Sequence, residues 1–185
     1  MTRFVYATAT TLDGFLADAD NSLDWLFAVE GGEESLSGLA EFTAGVGVLV
    51  MGSTTYQWVL DHERLLDHPE KWREFYPGMT TFVFSSRDLP VIPGADLTVV
   101  SGPVADHLPT ILAAAGDKDV WVMGGGDLAG QFTDIGRLDE IMLSVAAVTL
   151  GSGAPLLPRR LESDRLRLVH VAQVGQFAEL RYQLR

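Results

Sequence analysis

Val120-Trp121-Val122-Met123-Gly124-Gly125-Gly126-Asp127-Leu128 is the stretch on which the reading of this chain turns. Val120 to Met123 reads as a strand covered on both faces, and it runs without a linker into three glycines and then a helical pattern, Asp127 to Ile135. A glycine turn between a buried strand and a helix N-terminus leaves backbone N–H groups uncovered, because no Cβ stands over them. Met51-Gly52-Ser53-Thr54-Thr55 and Phe84-Ser85-Ser86-Arg87 repeat the arrangement after the apolar runs Val46–Met51 and Thr80–Phe84. In an open parallel sheet, ligands bind outside the carboxyl ends of the strands. Three such turns on one edge favour a nucleotide site, although a glycine-rich turn before a helix is just as often structural. No Lys-Ser/Thr follows the glycines and the spacing is not Gly-x-Gly-x-x-Gly, which excludes a P-loop and disfavours a common Rossmann site.

Outward from these turns, strand and helix patterns alternate. Arg3 to Thr10 alternates Phe4 and Tyr6 with Val5, Ala7 and Ala9 and opens the fold as a strand. A short helix is predicted over Ser22 to Val29 with Ser22 as N-cap, and Leu36, Leu39, Ala40 and Phe42 mark a second helix. Ser53-Thr54-Thr55 starts a helix through Leu60, and Asp61 to Gly78 reads as a loop with one or two helical turns. Leu97 to Val100 is a strand, Val104 to Ala115 a helix, and Leu138 to Leu150 a long strand. Leu166 to Val174 and Phe177 to Leu184 meet at Gly175-Gln176, which suits an antiparallel hairpin with a II′-type turn. The predicted class is α/β, a mostly parallel sheet covered by helices with antiparallel strands at its C-terminal end. No repeat, low-complexity tract or linker interrupts it, so a single domain is expected over residues 1–185.

Composition narrows the function. The chain has 185 residues, 47% of them hydrophobic, and no cysteine, which excludes disulfides, a Cys nucleophile and Cys-ligated metal. Thirteen Lys and Arg against 25 Asp and Glu leave a net charge of −12, a poor surface for nucleic acid or anionic membrane. The longest apolar stretch, Ile141 to Leu150, is far short of the roughly 20 residues that span a bilayer, and the N-terminus lacks a signal-peptide pattern. The expectation is a soluble cytoplasmic protein. His62, His68, His107 and His170 are scattered, so no metal site is expected, and Ser85 and Ser86 lack the base that serine hydrolase chemistry needs. Glu30, Glu33 and Glu34 read as a solvated face. Trp58, Trp72, Phe75 and Tyr76 either close a pocket or form a subunit interface.

Six motifs occur in order: Thr11-Leu-Asp-Gly-Phe-Leu-Ala17, Val50-Met-Gly-Ser-Thr-Thr-Tyr56, Phe84-Ser-Ser-Arg87, Val120 to Leu128, Leu138-Asp-Glu-Ile141 and Leu150-Gly-Ser-Gly-Ala-Pro-Leu-Leu157. Together they resemble the dihydrofolate reductase-like superfamily over essentially the whole chain. The closer likeness is to the C-terminal reductase domain of bifunctional riboflavin-biosynthesis enzymes, in a stand-alone bacterial form. The resemblance implies a three-layer α/β/α fold that binds NADPH in extended form across the strand ends. Gly52, Ser53, Thr54 and Thr55 would then hold the pyrophosphate, and Ser85, Ser86 and Arg87 would meet the adenosine 2′-phosphate. Gly124, Gly125, Gly126, Asp127 and Leu128 would carry the pyrophosphate and the nicotinamide-proximal part, with Ala9 and Leu16 offering backbone groups to the carboxamide. Substrate would stack over the nicotinamide near Asp13, Trp25 and Tyr56.

The implied activity is hydride transfer from NADPH to a small pterin- or pyrimidine-like heterocycle, akin to 5-amino-6-(5-phosphoribosylamino)uracil reductase or dihydrofolate reductase. A homodimer is implied as well. A non-catalytic NADP(H)-binding module is the rival. Two departures bear on this. Relatives commonly carry Arg or Lys where Ser53 stands, so Arg87 is expected to compensate at the 2′-phosphate. Gly38 occupies the place of the helix acid of true dihydrofolate reductases, which argues for a substrate other than folate. Asp13 is the candidate proton source, and Asp13-Gly14 is equally an ordinary turn former. Trp25 and Tyr56 serve as substrate contacts or as packing, and Asp127 as a ribose contact or helix cap.

Overall fold

The computed structural model describes residues 1–30 and 39–185. Five strands run parallel: β1 (Phe4–Thr11), β3 (Val46–Gly52), β4 (Thr80–Phe84), β5 (Leu97–Val100) and β6 (Asp119–Gly124). β7 (Glu140–Ala146) continues the parallel set beside β1, and β10 (Phe177–Leu184) and β9 (Leu166–Val174) close the sheet as an antiparallel hairpin. The order across the eight strands is β5-β4-β3-β6-β1-β7-β10-β9. β2 (Phe15–Ala17) and β8 (Ala154–Pro155) pair separately as a small antiparallel ribbon. The helices are α1 (Asp24–Phe27), α2 (Ser53–His62), α3 (Glu70–Phe75), α4 (Val104–Ala115) and α5 (Gly126–Asp134).

The alternation read in Phe4 to Ala7 divides two cores. Phe4 and Tyr6 join Val48, Val50, Val120 and Val122 under α4 and α5, where Ile111 and Phe132 are wholly buried. Val5 and Ala7 join Leu49, Met51, Val83 and Trp121 under α2 and α3. Strands β3, β4 and β6 are covered on both faces, which is why they read as near-continuous apolar runs. Gly175 has a φ of +55°, and among the described residues only Asn21 and Arg64 are non-glycines in the left-handed region. The hairpin turn therefore has a positive φ only at its first central residue, as a II′ turn requires.

Two expectations change, and a third falls mostly outside the described residues. The long strand Leu138 to Leu150 is confined to β7, because beyond Ala146 the chain leaves the sheet to bond the β1–β2 turn, where the Leu12 amide donates to the Val148 carbonyl at 2.8 Å. The helix expected over Ser22 to Val29 is the single turn α1, although the Ser22 hydroxyl does accept the Asp24 amide at 3.0 Å. The second helix falls mostly outside the described residues, as does Gly38, and only its end at 39–43 is described. β2 and β8 are too short for a periodic signal, but their glycines are telling. A Cβ on Gly153 would stand 2.0 Å from the Ala17 carbonyl oxygen.

Asp13 closes that ribbon. Its carboxylate accepts the Thr11 hydroxyl at 2.6 Å and the amides of Leu150 and Gly151 at 3.1 and 2.7 Å. The Thr11 hydroxyl, and then the Gly151 and Leu150 amides, hold this carboxyl below its ordinary value of 3.8. A group whose folded-state pKa is depressed contributes stability above its unfolded pKa and loses it as pH falls through the folded value. Asp13→Ala should therefore lower the Tm by a constant amount from about pH 8 to pH 5, and the gap to the native chain should close below about pH 4. Melting curves across that range check it, and a gap unchanged at pH 2 would mean that the ionised carboxylate is not the latch.

Candidate functional site

Two helices start at glycine turns on neighbouring strands. Gly52 is the N-cap of α2 and Gly125 the N-cap of α5, and neither helix has a side-chain capping bond. β3 and β6 are adjacent, so the turns abut: a Cβ on Gly52 would lie 3.6 Å from the Gly124 carbonyl and 3.7 Å from the Gly125 amide nitrogen. Two sets of free N–H groups thus open onto one place, each helix end favouring an anion by about 0.3–1 kcal/mol in exposed settings. The three glycines are needed for different reasons. Gly124 has a φ of +128° and packs over the Tyr6 ring. A Cβ on Gly126 would stand 2.3 Å from the carbonyl oxygens of both Pro155 and Leu156. A Cβ on Gly125 would meet nothing within 4 Å, so its space is open for a ligand.

Gly52, Ser53, Thr54, Thr55, Gly125, Gly126, Asp127 and Leu128 line one wall of a cavity of about 1210 Å³. That exceeds the usual ~300–1,000 Å³ of a small-molecule pocket and leaves room for more than one ligand. The Ser85–Arg87 loop borders this wall, and the Arg87 guanidinium donates to the Ser53 hydroxyl at 3.4 Å. The Ser85 hydroxyl holds the loop shape by accepting the Arg87 amide at 2.9 Å. Asp127 makes no cap bond. Its carboxylate accepts from Gln131 at 3.0 Å and Arg159 at 3.1 Å, which keep it below the ordinary carboxylate value, Gln131 the more strongly. Arg159 also bonds Asp134 at 2.8 Å. It thereby neutralises an acid that would otherwise repel an anion at this helix end.

Most of the remaining lining is apolar and aromatic. Ala9 and Leu16 line it, with Trp25, Phe27, Trp58, Tyr76, Trp121, Met123 and Met142. Phe27 of α1 stacks on His62 of α2 with centroids 5.1 Å apart, and Trp58 stacks on the same ring at 4.4 Å, which seats α1 on α2. Burial pushes the Tyr76 hydroxyl up to about 12, so it stays protonated at neutral pH. Trp58 and Tyr76 line the pocket, whereas Trp72 is buried against Tyr56 and Phe75 is exposed.

Two expected residues stand elsewhere. Tyr56 is wholly buried, its hydroxyl donating to the Pro90 carbonyl at 2.7 Å, so it packs the core rather than touching a substrate. Asp13 does not line the cavity, and its carboxylate is committed to the loop bonds described above. The sequence reading missed Ser144, Glu179 and Arg181, which line the cavity from β7 and β10. In a C-terminal hairpin, alternating charged residues read as the solvent face, and nothing local distinguishes them from one. Among the described residues no cluster of three or more His, Asp and Glu side chains is placed to hold a metal, and no helix is long and apolar enough to cross a membrane.

The profile of the RibD C-terminal domain matches residues 3–178. The chain belongs to that family. The Bacillus subtilis protein YwjB is 28% identical over 180 residues, which is 97% of each chain. A Shewanella sp. PV-4 protein assigned to riboflavin biosynthesis superposes with a TM-score of 0.73 at 25% identity, over 100% of this chain and 99% of that one. Dihydrofolate reductase from Enterococcus faecalis, solved with NADP(H), shares the fold at a TM-score of 0.63 and 14% identity, over 98% and 96% of the two chains. The fold is therefore dihydrofolate reductase-like, as the ordered motifs implied.

Gly125→Val separates ligand space from folding space at the glycine turn. The added side chain enters open volume in an ordinary backbone region (φ −71°), so the Tm should stay close to native. If this turn holds the pyrophosphate of NADPH, affinity for that dinucleotide should fall by at least about a hundredfold, since the branched side chain fills the space between the two helix ends. Calorimetric titration of the folded variant checks this, and an unchanged affinity would remove the turn from the site.

Proposed function

We propose that this member of the RibD C-terminal family is an NADPH-dependent reductase acting on a small pterin- or pyrimidine-like heterocycle. The observation that carries the reading is the pair of abutting, uncapped helix N-termini at Gly52 and Gly125, with an open Cβ position between them, on the wall of an aromatic cavity. That cradle fits a pyrophosphate, and bound NADPH supplies a hydride from its nicotinamide ring. The amides of Ser53, Thr54, Thr55, Gly126, Asp127 and Leu128 hold the pyrophosphate. Arg87, beside Ser53, Ser85 and Ser86, meets the 2′-phosphate in place of a cation at position 53. Backbone groups of Ala9 and Leu16 orient the carboxamide, and Trp25, Phe27 and Trp58 exclude water from the substrate end. Asp13, held ionised and engaged, is withdrawn as proton source, which leaves an ordered water in that role.

The same loss of Asp13 favours one rival, an NADP(H)-binding module that catalyses nothing. NADPH oxidation with a panel of pterins and pyrimidines separates the two, since the module binds the cofactor and never oxidises it. The reading includes a homodimer through the edge strand β9, where Leu168, Val169 and Val171 are exposed. Sedimentation should give twice the 20.1 kDa chain mass, and Val171→Glu should return the monomer.

For the cofactor, Arg87→Ala should weaken NADPH binding by roughly tenfold or more, the worth of one charge-assisted contact, and leave NADH nearly unchanged. Equal losses for both dinucleotides in titration would show that Arg87 does not read the 2′-phosphate.

A further inference from the structure

We propose that Arg181 is the specificity-determining residue of the substrate end, and that it selects rings carrying a keto or carboxylate oxygen. The inference deepens the reductase reading and relies on it only for what lies beside the ring. In the β7–β10 ladder Arg181 stands opposite Met142 and Glu179 opposite Ser144, while across β1 Met142 faces Ala7 and Ser144 faces Ala9. Residues directly opposite one another share a sheet face. Two rows therefore cross the cavity floor, Ala7–Met142–Arg181 and Ala9–Ser144–Glu179. The alanines are low, so nothing large on β1 separates Arg181 from the space above Ala9.

Arg181 is half-buried, and its buried Nε has no hydrogen-bond partner among the described residues. Arg3, Arg64, Arg159 and Arg160 each pair with a carboxylate, but among the described residues Arg181 forms no ion pair. Acids outnumber bases 25 to 13 in this chain, so a carboxylate partner was not scarce. A guanidinium does not lose its proton, so this buried Nε–H remains a donor that an acceptor on a ligand would satisfy. The β9–β10 ladder also shifts register between Arg181 and Tyr182, the kind of bulge that re-aims a side chain beside a site. A second donor in the same cavity, the Trp25 indole N–H, is likewise buried and without a partner among the described residues. Both groups can only donate, so both call for an acceptor on the ligand. Glu179, which accepts the Ser144 hydroxyl at 3.2 Å, stands two residues away on the same face.

The test uses three rings of one size: uracil, with neutral keto oxygens; orotate, with a carboxylate added; and 2,4-diaminopyrimidine, with amino groups where uracil has oxygens. Each is titrated against the cofactor-free chain by tryptophan emission, since Trp25 and Trp121 line the cavity. The native chain should bind uracil or orotate at least about tenfold more tightly than the diamino ring. Arg181→Met should remove that preference by weakening the oxygen-bearing rings alone, and Arg181→Lys should restore part of it. A loss confined to orotate assigns the carboxylate as the recognised oxygen, and a loss for both assigns the ring keto group. The Tm of Arg181→Met should equal or exceed the native value, because the variant removes a buried N–H that has no acceptor. The proposal is overturned if both oxygen-bearing rings bind Arg181→Met as tightly as native, if neither binds the native chain at millimolar concentration, or if the variant melts early with its ring preference intact. NADPH titrated separately should bind native and Arg181→Met alike. Failure of the native chain to bind it would sink the reductase reading while leaving the ring preference measurable.

Discussion

The close passage of residues 153–156 between β2 and the start of α5 is the constraint on which this fold depends. On one side Gly153 lies so near Ala17 that a Cβ there would overlap its carbonyl, and on the other Gly126 lies equally near the carbonyls of Pro155 and Leu156. The Leu156 amide donates to Gly14 at 2.9 Å, and the buried Tyr6 hydroxyl donates to the Leu156 carbonyl at 2.8 Å. One segment thereby ties the first strand, the turn after it and the glycine turn of β6 into a single unit. Interiors packed at this density do not deform smoothly, so the helix end at Gly126 holds its place without a capping side chain. The site inherits its rigidity from a contact that takes no part in binding.

Electrostatically the molecule presents a contrast, an anion cradle on a chain of net charge −12. The contrast resolves with distance. Charges spread over the surface are screened within about 8 Å at physiological ionic strength, whereas backbone N–H groups act at contact. Near the cradle, acids are either paired, as Asp127 is with Arg159, or turned to structural use, as Asp13 is. The remaining acidity keeps the protein from polyanions that lack the shape to enter.

Legibility in the sequence followed the range of the interactions. β4, β5, α4 and both hairpin strands were readable to the residue because periodicity and flanking glycines or prolines set their ends locally. The glycine turns at Gly52 and Gly125 were readable too, since backbone exposure needs only local composition. Contact and packing could not be separated locally for Tyr56, because its partner, the Pro90 carbonyl, lies 34 residues along the chain. The same holds for Asp13, read equally as proton source or turn former, whose partners at Leu150 and Gly151 are 137 and 138 residues away. Arg181 was missed because a charge in a terminal hairpin looks solvated until the strand order sets it two strands from Ala9. Short ribbons such as β2–β8 carry no period at all, and only the crowded glycine Gly153 hints at them.

The strand order also bears on how the chain comes into being. β1 is made first yet sits inside the sheet between β6 and β7, and its earliest pairing, Phe4 with Val120, waits for most of the chain. At ribosomal rates of about 5–20 residues per second that delay is on the order of 10 s. Throughout it Phe4, Val5 and Tyr6, all destined for complete burial, have no neighbours of their own sheet. β3, β4 and β5 can form a parallel patch meanwhile, but its inner edge stays open until β6 arrives to lie between β3 and β1. The nascent protein therefore carries a strand with no sheet neighbour and an open apolar sheet edge at the same time.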